Sequence, residues 1–239
     1  KSVILPEFRN PERTQVLELL KPAKTDSLPL SMKLTEEGKY QLKTRRYKVV
    51  KSASDRVVFT TLLENGVQIT KDISLKSGKY YFDVAITLQN TTDSEILTSY
   101  SITASNGIYP EADKISGLAS ISGVDVGKGK TKIVHTDVKD MPYKNESEGI
   151  SLAGSTNKYF AVVLKSSISN RIATTTTESV KNTDPLYKDD FIVDLQAKRV
   201  AIPAQGERRH DYIFFLGPKK KEQPNSRPER KKNFSWKLN

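Results

Sequence analysis

Two histidines are the side chains of this sequence best suited to acid–base chemistry. His135 and His210 lie 75 residues apart, and each has an aspartate nearby, Asp137 and Asp211. An imidazole beside a carboxylate can act as a general acid or base. Only the fold can bring two such distant sites together, so a structural role within strands is the simpler interpretation. We therefore predict no catalytic residues and no enzymatic activity.

The sequence also offers little that could bind a metal or a cofactor. It has 239 residues and no cysteine, which excludes disulfides and thiolate metal sites. Gly123, Gly127 and Gly129 form a loose glycine-rich stretch. This stretch precedes a predicted strand and lacks the Lys-Ser/Thr ending of a phosphate-binding loop. We predict neither a cofactor nor a metal site.

The net charge of +11 raises the question of a nucleic-acid partner. Residues 219–239 hold eight basic and two acidic residues, so this segment alone accounts for +6. It contains Pro224 and Pro228 and has no apolar periodicity, which predicts a disordered basic tail. The rest of the sequence lacks the interleaved basic and aromatic residues of a single-strand-binding surface. We expect a solvated tail, with lipid headgroups as the main alternative contact and no nucleic-acid partner.

The elements that position these side chains are β-strands. Apolar and polar residues alternate with a period of two in 67–75, 82–89 and 96–102. Successive side chains of a strand point to opposite faces, so each segment buries one face. Asn65-Gly66 and Gly78 supply turns, because glycine adopts positive φ at no steric cost. We expect the three segments to form an antiparallel meander.

The remaining pattern extends the same class along the sequence. Asp72 and Asp83 fall on the solvent faces of the predicted meander, where we expect them only to keep the sheet soluble. Residues 114–126 are ambiguous, since apolar residues recur every three positions but glycines oppose a helix. The other predicted strands are 3–8, 15–20, 47–51, 57–63, 130–135, 159–165 paired with 171–178 as a hairpin, 190–195, 199–202 and 211–216.

About a dozen short strands with frequent turns define the fold class. We predict a mostly β protein, a large antiparallel β-sandwich with little helix over residues 1–218, followed by the tail 219–239. No apolar run reaches the roughly 20 residues of a membrane helix, and no signal peptide opens the sequence, which favours a soluble molecule.

Several short blocks, taken in order over residues 3–219, carry a family resemblance. The clearest is a strand, a turn, a lysine-bearing strand and a tyrosine-rich strand from Phe59 to Asn90. The other blocks are Val3–Phe8, Val16–Leu20, Asn106–Glu111, Lys158–Phe160 and Phe215–Lys219. Together they resemble the large periplasmic domain of the YidC family of bacterial membrane protein insertases. The resemblance implies a β-supersandwich of mutarotase-like shape.

The resemblance also implies a location and partners. Such a domain lies on the periplasmic side of the bacterial inner membrane, in a parent protein whose membrane helices are absent from this sequence. It is non-catalytic and is expected to contact accessory subunits of the Sec translocon or nascent membrane proteins.

Candidate partner contacts lie in two irregular segments, 105–114 and 140–149, because binding residues are often on loops. The candidates are Asn106, Tyr109, Glu111, Tyr143 and Glu146, and ordinary variable loops are the alternative. A second interpretation of the whole is a free-standing carbohydrate-binding or mutarotase-like sandwich. That protein would need aromatic rings on a concave face, and a histidine and a carboxylate converging on a sugar.

Overall fold

A computed structural model describes residues 3–9, 13–20, 28–34, 46–108, 118–127, 130–137, 140, 142–146, 149–167, 172–181 and 189–219. These residues form antiparallel strands and no α-helix. The predicted tail lies outside them, apart from Lys219. The strands are β1 (Val3–Arg9), β2 (Val16–Leu20), β3 (Met32–Leu34), β4 (Lys48–Ser52), β5 (Arg56–Leu62), β6 (Val67–Leu75), β7 (Tyr81–Asn90), β8 (Ile96–Ser105), β9 (Ala119–Asp125), β10 (Thr131–Asp137), β11 (Tyr143–Asn145), β12 (Ile150–Thr156), β13 (Phe160–Ser166), β14 (Ile172–Lys181), β15 (Asp189–Ile202) and β16 (Glu207–Pro218).

Hydrogen bonds join the strands into one small and one very large sheet. β1 and β2 form a separate hairpin, and the other fourteen strands form one sheet. Its main path is β3-β8-β15-β14-β12-β13-β16-β7-β6-β5-β4. β9 joins β12 and carries β10, while β11 joins β14.

This large sheet folds over on itself. Tyr100 on β8 and Tyr212 on β16 are five strands apart along the sheet, yet their hydroxyl oxygens are 2.6 Å apart. Five strand spacings in a flat sheet would span about 24 Å. β12 meets β14 at a single pair, Ile150 with Ile172, and the sheet folds at this weak link. The result is a β-sandwich with a small leaf (β3, β8, β15, β14, β11) and a large leaf (the remaining nine strands), which confirms the predicted fold class.

The hydrophobic core lies between the two leaves. Tyr100 and Ile102 of the small leaf and Ile86 and Leu164 of the large leaf are almost fully buried in one cluster. Burying an aliphatic side chain of this size is worth about 1.5–3 kcal/mol, so the core dominates the stability. Leu19 of β2 belongs to the same cluster and has no exposed surface. The β1–β2 hairpin therefore packs onto the core as part of the same unit.

The predicted meander is only partly right. β4, β5, β6 and β7 do pair in sequence order. β8, the third of the predicted segments, leaves β7 and pairs with β15 and β3 in the other leaf. A period of two determines which side chains of a strand share a face, but the same alternation arises whichever strand lies beside it. The pattern therefore predicted the faces of β8 correctly and its partner strand wrongly.

The predicted hairpin of 159–165 with 171–178 is also wrong. β13 pairs with β12 and β16, and β14 pairs with β15 and β11. β12 was missed because both of its faces are covered, so its small and polar residues show no alternation. The ambiguous segment 114–126 contains strand β9.

The two strands predicted at 190–195 and 199–202 form one strand, β15. A register shift between Ala197 and Val200 interrupts its pairing with β8, and Arg199 there has a φ of 55°. Such an irregularity is typical of a β-bulge, which leaves an extra residue unpaired without ending the strand. The change of alternation at the bulge explains why the pattern suggested two elements.

Candidate functional site

An open cleft of about 750 Å³ lies on the outer face of the large leaf, on the side away from the core. Ala85 of β7 and Ile213 of β16 contribute apolar surface to it. Charged and hydroxyl side chains line the rest: Asp72, Ser74, Asp83, Lys165, Ser166, Ser167, Arg209 and Asp211. Concave sites that combine apolar surface with a few polar groups are the usual form of a binding site.

The register of four strands positions these side chains. Asp83, Ile213 and Lys165 lie in one row across β7, β16 and β13. Asp72, Ala85 and Asp211 lie in the next row across β6, β7 and β16. Ala85 is the smallest of these and separates two carboxylates by about 10 Å, two strand spacings. The short side chain leaves space above the sheet between charged neighbours.

The carboxylate of Asp72 is held by an arginine from β5. Arg56 donates from Nε to Oδ1 at 2.9 Å and from Nη2 to Oδ2 at 2.5 Å, which is a bidentate pair. These hydrogen bonds lower the pKa of Asp72, and partial burial opposes them. A carboxylate held ionised in this way cannot donate a proton near neutral pH. It presents a fixed negative charge instead.

The other two carboxylates also have cationic partners, whereas one lysine has none. Nε of Arg209 lies 2.9 Å from Oδ1 of Asp211, and Nζ of Lys76 lies 2.9 Å from Oδ2 of Asp83. Within the part of the chain that the structure describes, the side chain of Lys165 has no ion-pair or hydrogen-bond partner. Its ammonium group is available to an anionic group or a carbonyl oxygen of a bound molecule.

The histidines lie outside the cleft. His210 is on the core side of β16, where Nδ1 lies 2.5 Å from the hydroxyl oxygen of Tyr100. Burial is the main cause that lowers the pKa of His210, and burial raises the pKa of Tyr100 well above its ordinary value. A neutral His210 can accept a hydrogen bond at Nδ1 from the Tyr100 hydroxyl, and the Tyr100 oxygen can then accept one from the Tyr212 hydroxyl. Tyr100 and Tyr212 are almost fully buried, and His210 is half-buried beside them. The two hydroxyl groups serve the packing between the leaves and are not presented to the cleft.

His135 is not brought near His210. It lies on β10, four strands from β16 along the large leaf. Burial and the charge of Lys219 lower its pKa. Among the described residues, no group of three or more histidine, aspartate or glutamate side chains could hold a metal ion.

The predicted contact residues do not line the cleft. Asn106 follows β8 and is only 5% exposed. Tyr143 is half-buried on β11, opposite Thr177, and the exposed Glu146 pairs with Lys144 at 2.5 Å. Tyr109 and Glu111 lie outside the described residues. Partner contact by these five residues stays a prediction.

Sequence reasoning missed the cleft although it placed Asp72 and Asp83 correctly on the outer face. Their alternation within two strands that pair with each other is the local signal that was present. The other half of the cleft comes from β13 and β16, which are remote in sequence. No local sequence pattern predicts that Lys165 and Asp211 lie on the same surface.

The fold defines the class of protein as a mutarotase-like β-sandwich. A galactose mutarotase related enzyme from Lactobacillus acidophilus superposes with a TM-score of 0.54 at 8% identity, covering 80% of this chain and 81% of that one. A protein of Synechocystis sp. PCC 6803 gives 0.55 at 10% identity, with 84% and 78% covered. A galactose mutarotase-like protein from Lactobacillus casei gives 0.50 at 8%, with 74% and 75% covered. Identities this low show the fold alone.

Within that class the family is defined by sequence. The family model for the YidC periplasmic domain matches residues 1–235, so the chain belongs to this family, and the resemblance is confirmed. No helix among the described residues is long and apolar enough to span a membrane. A component of the A-type ATP synthase from Methanocorpusculum labreanum is 35% identical over 65 residues. That match spans 27% of this chain and 13% of the synthase component, too little to indicate a shared fold.

Proposed function

We propose that this chain is a non-catalytic domain that supports the insertion and folding of inner-membrane proteins on the periplasmic side of the bacterial inner membrane. Its outer cleft holds extended segments of nascent membrane proteins or of translocon accessory subunits. The observation that carries the proposal is this open cleft, with apolar surface and charges of both signs, in a member of the YidC periplasmic domain family.

The cleft suits an extended polypeptide. Ile213 and Ala85 offer apolar contact to side chains, while Ser74 and Ser167 offer hydroxyl groups to backbone amides and carbonyls. The bidentate Arg56–Asp72 pair holds its charges in place before any partner arrives, so little side-chain entropy is lost on binding. Because both signs of charge are present, segments of varied sequence can be accommodated.

The same geometry argues against catalysis. No histidine is among the described residues that line the cleft, and each of its three aspartates has a cationic partner. An acid–base mechanism needs a group that gains and loses a proton near the working pH. Asp72, whose pKa the hydrogen bonds of Arg56 lower, does not meet that requirement.

A photo-crosslinking side chain at Ile213, in the whole parent protein in cells, tests the proposal. We expect covalent adducts with nascent inner-membrane proteins or translocon subunits, and fewer adducts when Lys165→Glu is added. The control position is Val126, which is 58% exposed at the end of β9. Adducts at position 213 that match those at position 126 in identity and yield would contradict the proposal.

Carbohydrate binding is the second candidate, favoured by the similarity to a galactose mutarotase related enzyme. The three aspartates and Arg209 can hydrogen-bond sugar hydroxyls, although neither His135 nor His210 lines the cleft. Titration with galactose and glucose tests this candidate. Unchanged tyrosine fluorescence and melting temperature at millimolar sugar would remove it.

A further inference from the structure

One end of the sandwich holds parts of both the first and the last described strands. On β1, Glu7 accepts a hydrogen bond from the Tyr80 hydroxyl at 2.9 Å, and Phe8 packs edge-to-face on Phe160 with ring centroids 5.3 Å apart. The backbone oxygen of Tyr80 in turn accepts from the amide of Leu216 on β16, at 2.8 Å. The start of the described chain and its end therefore meet around Tyr80.

The turn between β12 and β13 is fixed at the same end. The side-chain oxygen of Asn157 accepts from the amides of Tyr159 and Phe160, at 3.1 and 2.7 Å. Lys219, the last described residue, donates from its amide to the Tyr159 oxygen at 2.6 Å and from Nζ to the Asn157 oxygen. Lys158 and Tyr159 are thus held at the tip of a turn whose backbone is firmly bonded.

This end displays basic and aromatic side chains. Tyr159 is 51% exposed, and Nζ of Lys158 lies 4.9 Å from the centre of its ring. We call Arg9, Lys79, Lys158, Tyr159 and Lys219 the basic end. The acidic residues described nearby are Glu7, bonded to Tyr80, Asp83, paired with Lys76 of the turn that holds Lys79, and Asp137 at the end of β10. With Lys76 included, five positive charges stand against three negative ones among these described residues, so the surface is cationic.

The sequence beyond the described residues adds charge of the same sign from the same point. Residues 220–239 contain seven basic and two acidic residues, a surplus of five positive charges. They continue from Lys219, which is anchored to Asn157 and Tyr159. The segment that follows Lys219 in the sequence thus carries nearly half of the net charge of the chain.

We propose that the basic end binds a membrane surface rich in anionic lipid headgroups. Lysine and arginine near such a surface are attracted to its negative potential, and the attraction falls off within a Debye length. Tyrosine combines an apolar ring with a polar hydroxyl and is enriched at membrane–water interfaces. The Lys158–Tyr159 pair offers both features on a rigid turn. None of the residues of the basic end lines the cleft, and the proposal does not depend on the proposed function.

Vesicle binding of the 239-residue chain tests the proposal. The probes are vesicles of equal parts phosphatidylglycerol and phosphatidylcholine, and vesicles of phosphatidylcholine alone. We expect binding to the anionic vesicles only, weakened by added salt. Lys79→Gln and Lys158→Gln should each lower the partition coefficient about fivefold. Tyr159→Ser, added to either variant, should lower the coefficient of that variant further. Thermal melts verify that the variants fold.

A matched control lies at the opposite end of the sandwich. Lys130 is exposed beside the β9–β10 turn, about 20 Å along the strand from the Asp137 end, and Lys130→Gln should leave binding unchanged. A second set converts Lys220, Lys221, Lys231 and Lys232 to Gln. If this set still binds the anionic vesicles, and Lys158→Gln weakens that binding, the result supports the proposal that the basic end binds the membrane. Binding that is lost in this set while Lys79→Gln and Lys158→Gln behave as the parent chain would overturn it, as would equal binding to both vesicle types.

Discussion

The Tyr100 hydroxyl oxygen and Nδ1 of His210 are 2.5 Å apart, and this contact crosses from the small leaf to the large leaf. The two rings are also stacked, with centroids 5.6 Å apart. The hydroxyl of Tyr212 completes the cluster at 2.6 Å from that of Tyr100. A buried polar cluster of this kind favours one alignment of the leaves, because any slippage leaves its members without partners.

Tyr100→Phe should lower the free energy of unfolding by about 1–3 kcal/mol. The substitution keeps the ring but leaves His210 and Tyr212 without their shared partner in a desolvated site. Urea denaturation followed by fluorescence measures the change. Tyr81→Phe is the matched control, because the half-buried Tyr81 makes no hydrogen bond through its hydroxyl to any described residue. Equal losses in both variants would show that the cluster contributes nothing.

Stability should decline as the pH falls below 6.5, the ordinary pKa of histidine. Burial lowers the pKa of His210, so the unfolded chain binds a proton that the folded chain resists. The stabilisation is therefore complete above pH 6.5 and is lost as the pH falls toward the folded value. His210→Gln should flatten the stability–pH curve in that range. An unchanged curve would contradict the assignment, and His135→Gln measures the separate share of the other histidine.

Lys71 should make the folded protein more stable as the pH rises from 8 toward 10. It lies on the core side of β6, where burial lowers its pKa to about 8 from 10.5. Between these values the unfolded chain holds the proton more strongly, so raising the pH favours folding, by up to about 3 kcal/mol. Lys71→Met should abolish this rise. Melting temperatures measured across the interval test it, and a rise that persists in the variant would refute it.

The ionisation of Tyr47 sets the upper limit of the pH range in which the effect of Lys71 can be measured. Lys71 donates to the oxygen of Leu30 at 2.9 Å and lies 4.6 Å from the ring centre of Tyr47. Burial raises the pKa of Tyr47 to about 12 from 10.0. Above pH 10 the unfolded chain loses that proton first, which opposes the lysine effect.

Gly66→Ala should destabilise the β5–β6 turn more than Gly78→Ala destabilises the β6–β7 turn. Both glycines have positive φ, at 82° and 68°, so each alanine incurs a backbone cost of about 1–2 kcal/mol. A Cβ on Gly66 would lie 2.4 Å from the Thr92 methyl group, whereas one on Gly78 would meet no described atom within 4 Å. The difference between their melting temperatures isolates the clash. Equal melting temperatures would show that Thr92 moves aside freely.

Local patterns predicted the strands well because strand geometry is local. The bounds of β6 match the prediction residue for residue, and Gly66 and Gly78 adopt the expected positive φ. Lys71 shows where the pattern failed, since it shares the buried face of β6 with Ile69. Its ammonium group donates there to the Leu30 carbonyl oxygen, which is 41 residues away in the sequence.

Strand partners depend on contacts that no local pattern contains. β8 carries the alternation expected of a meander strand, but its partner is β15, some ninety residues later in the chain. The cleft was missed for the same reason, because Asp72 and Lys165 reach one surface only through β7 and β16. The pattern of residues alone predicted a β-sandwich, and the family resemblance added its mutarotase-like shape.

The position of β16 determines when this domain can finish folding. The last of the described strands lies in the middle of the large leaf, between β7 and β13. Until residues 207–218 are available, the β4–β7 meander and the β12–β13 pair have no strand to join them, and each keeps an open edge. A polypeptide delivered amino terminus first must therefore keep these edges from mispairing throughout its passage. The large leaf can be completed only after residues 207–218 have emerged.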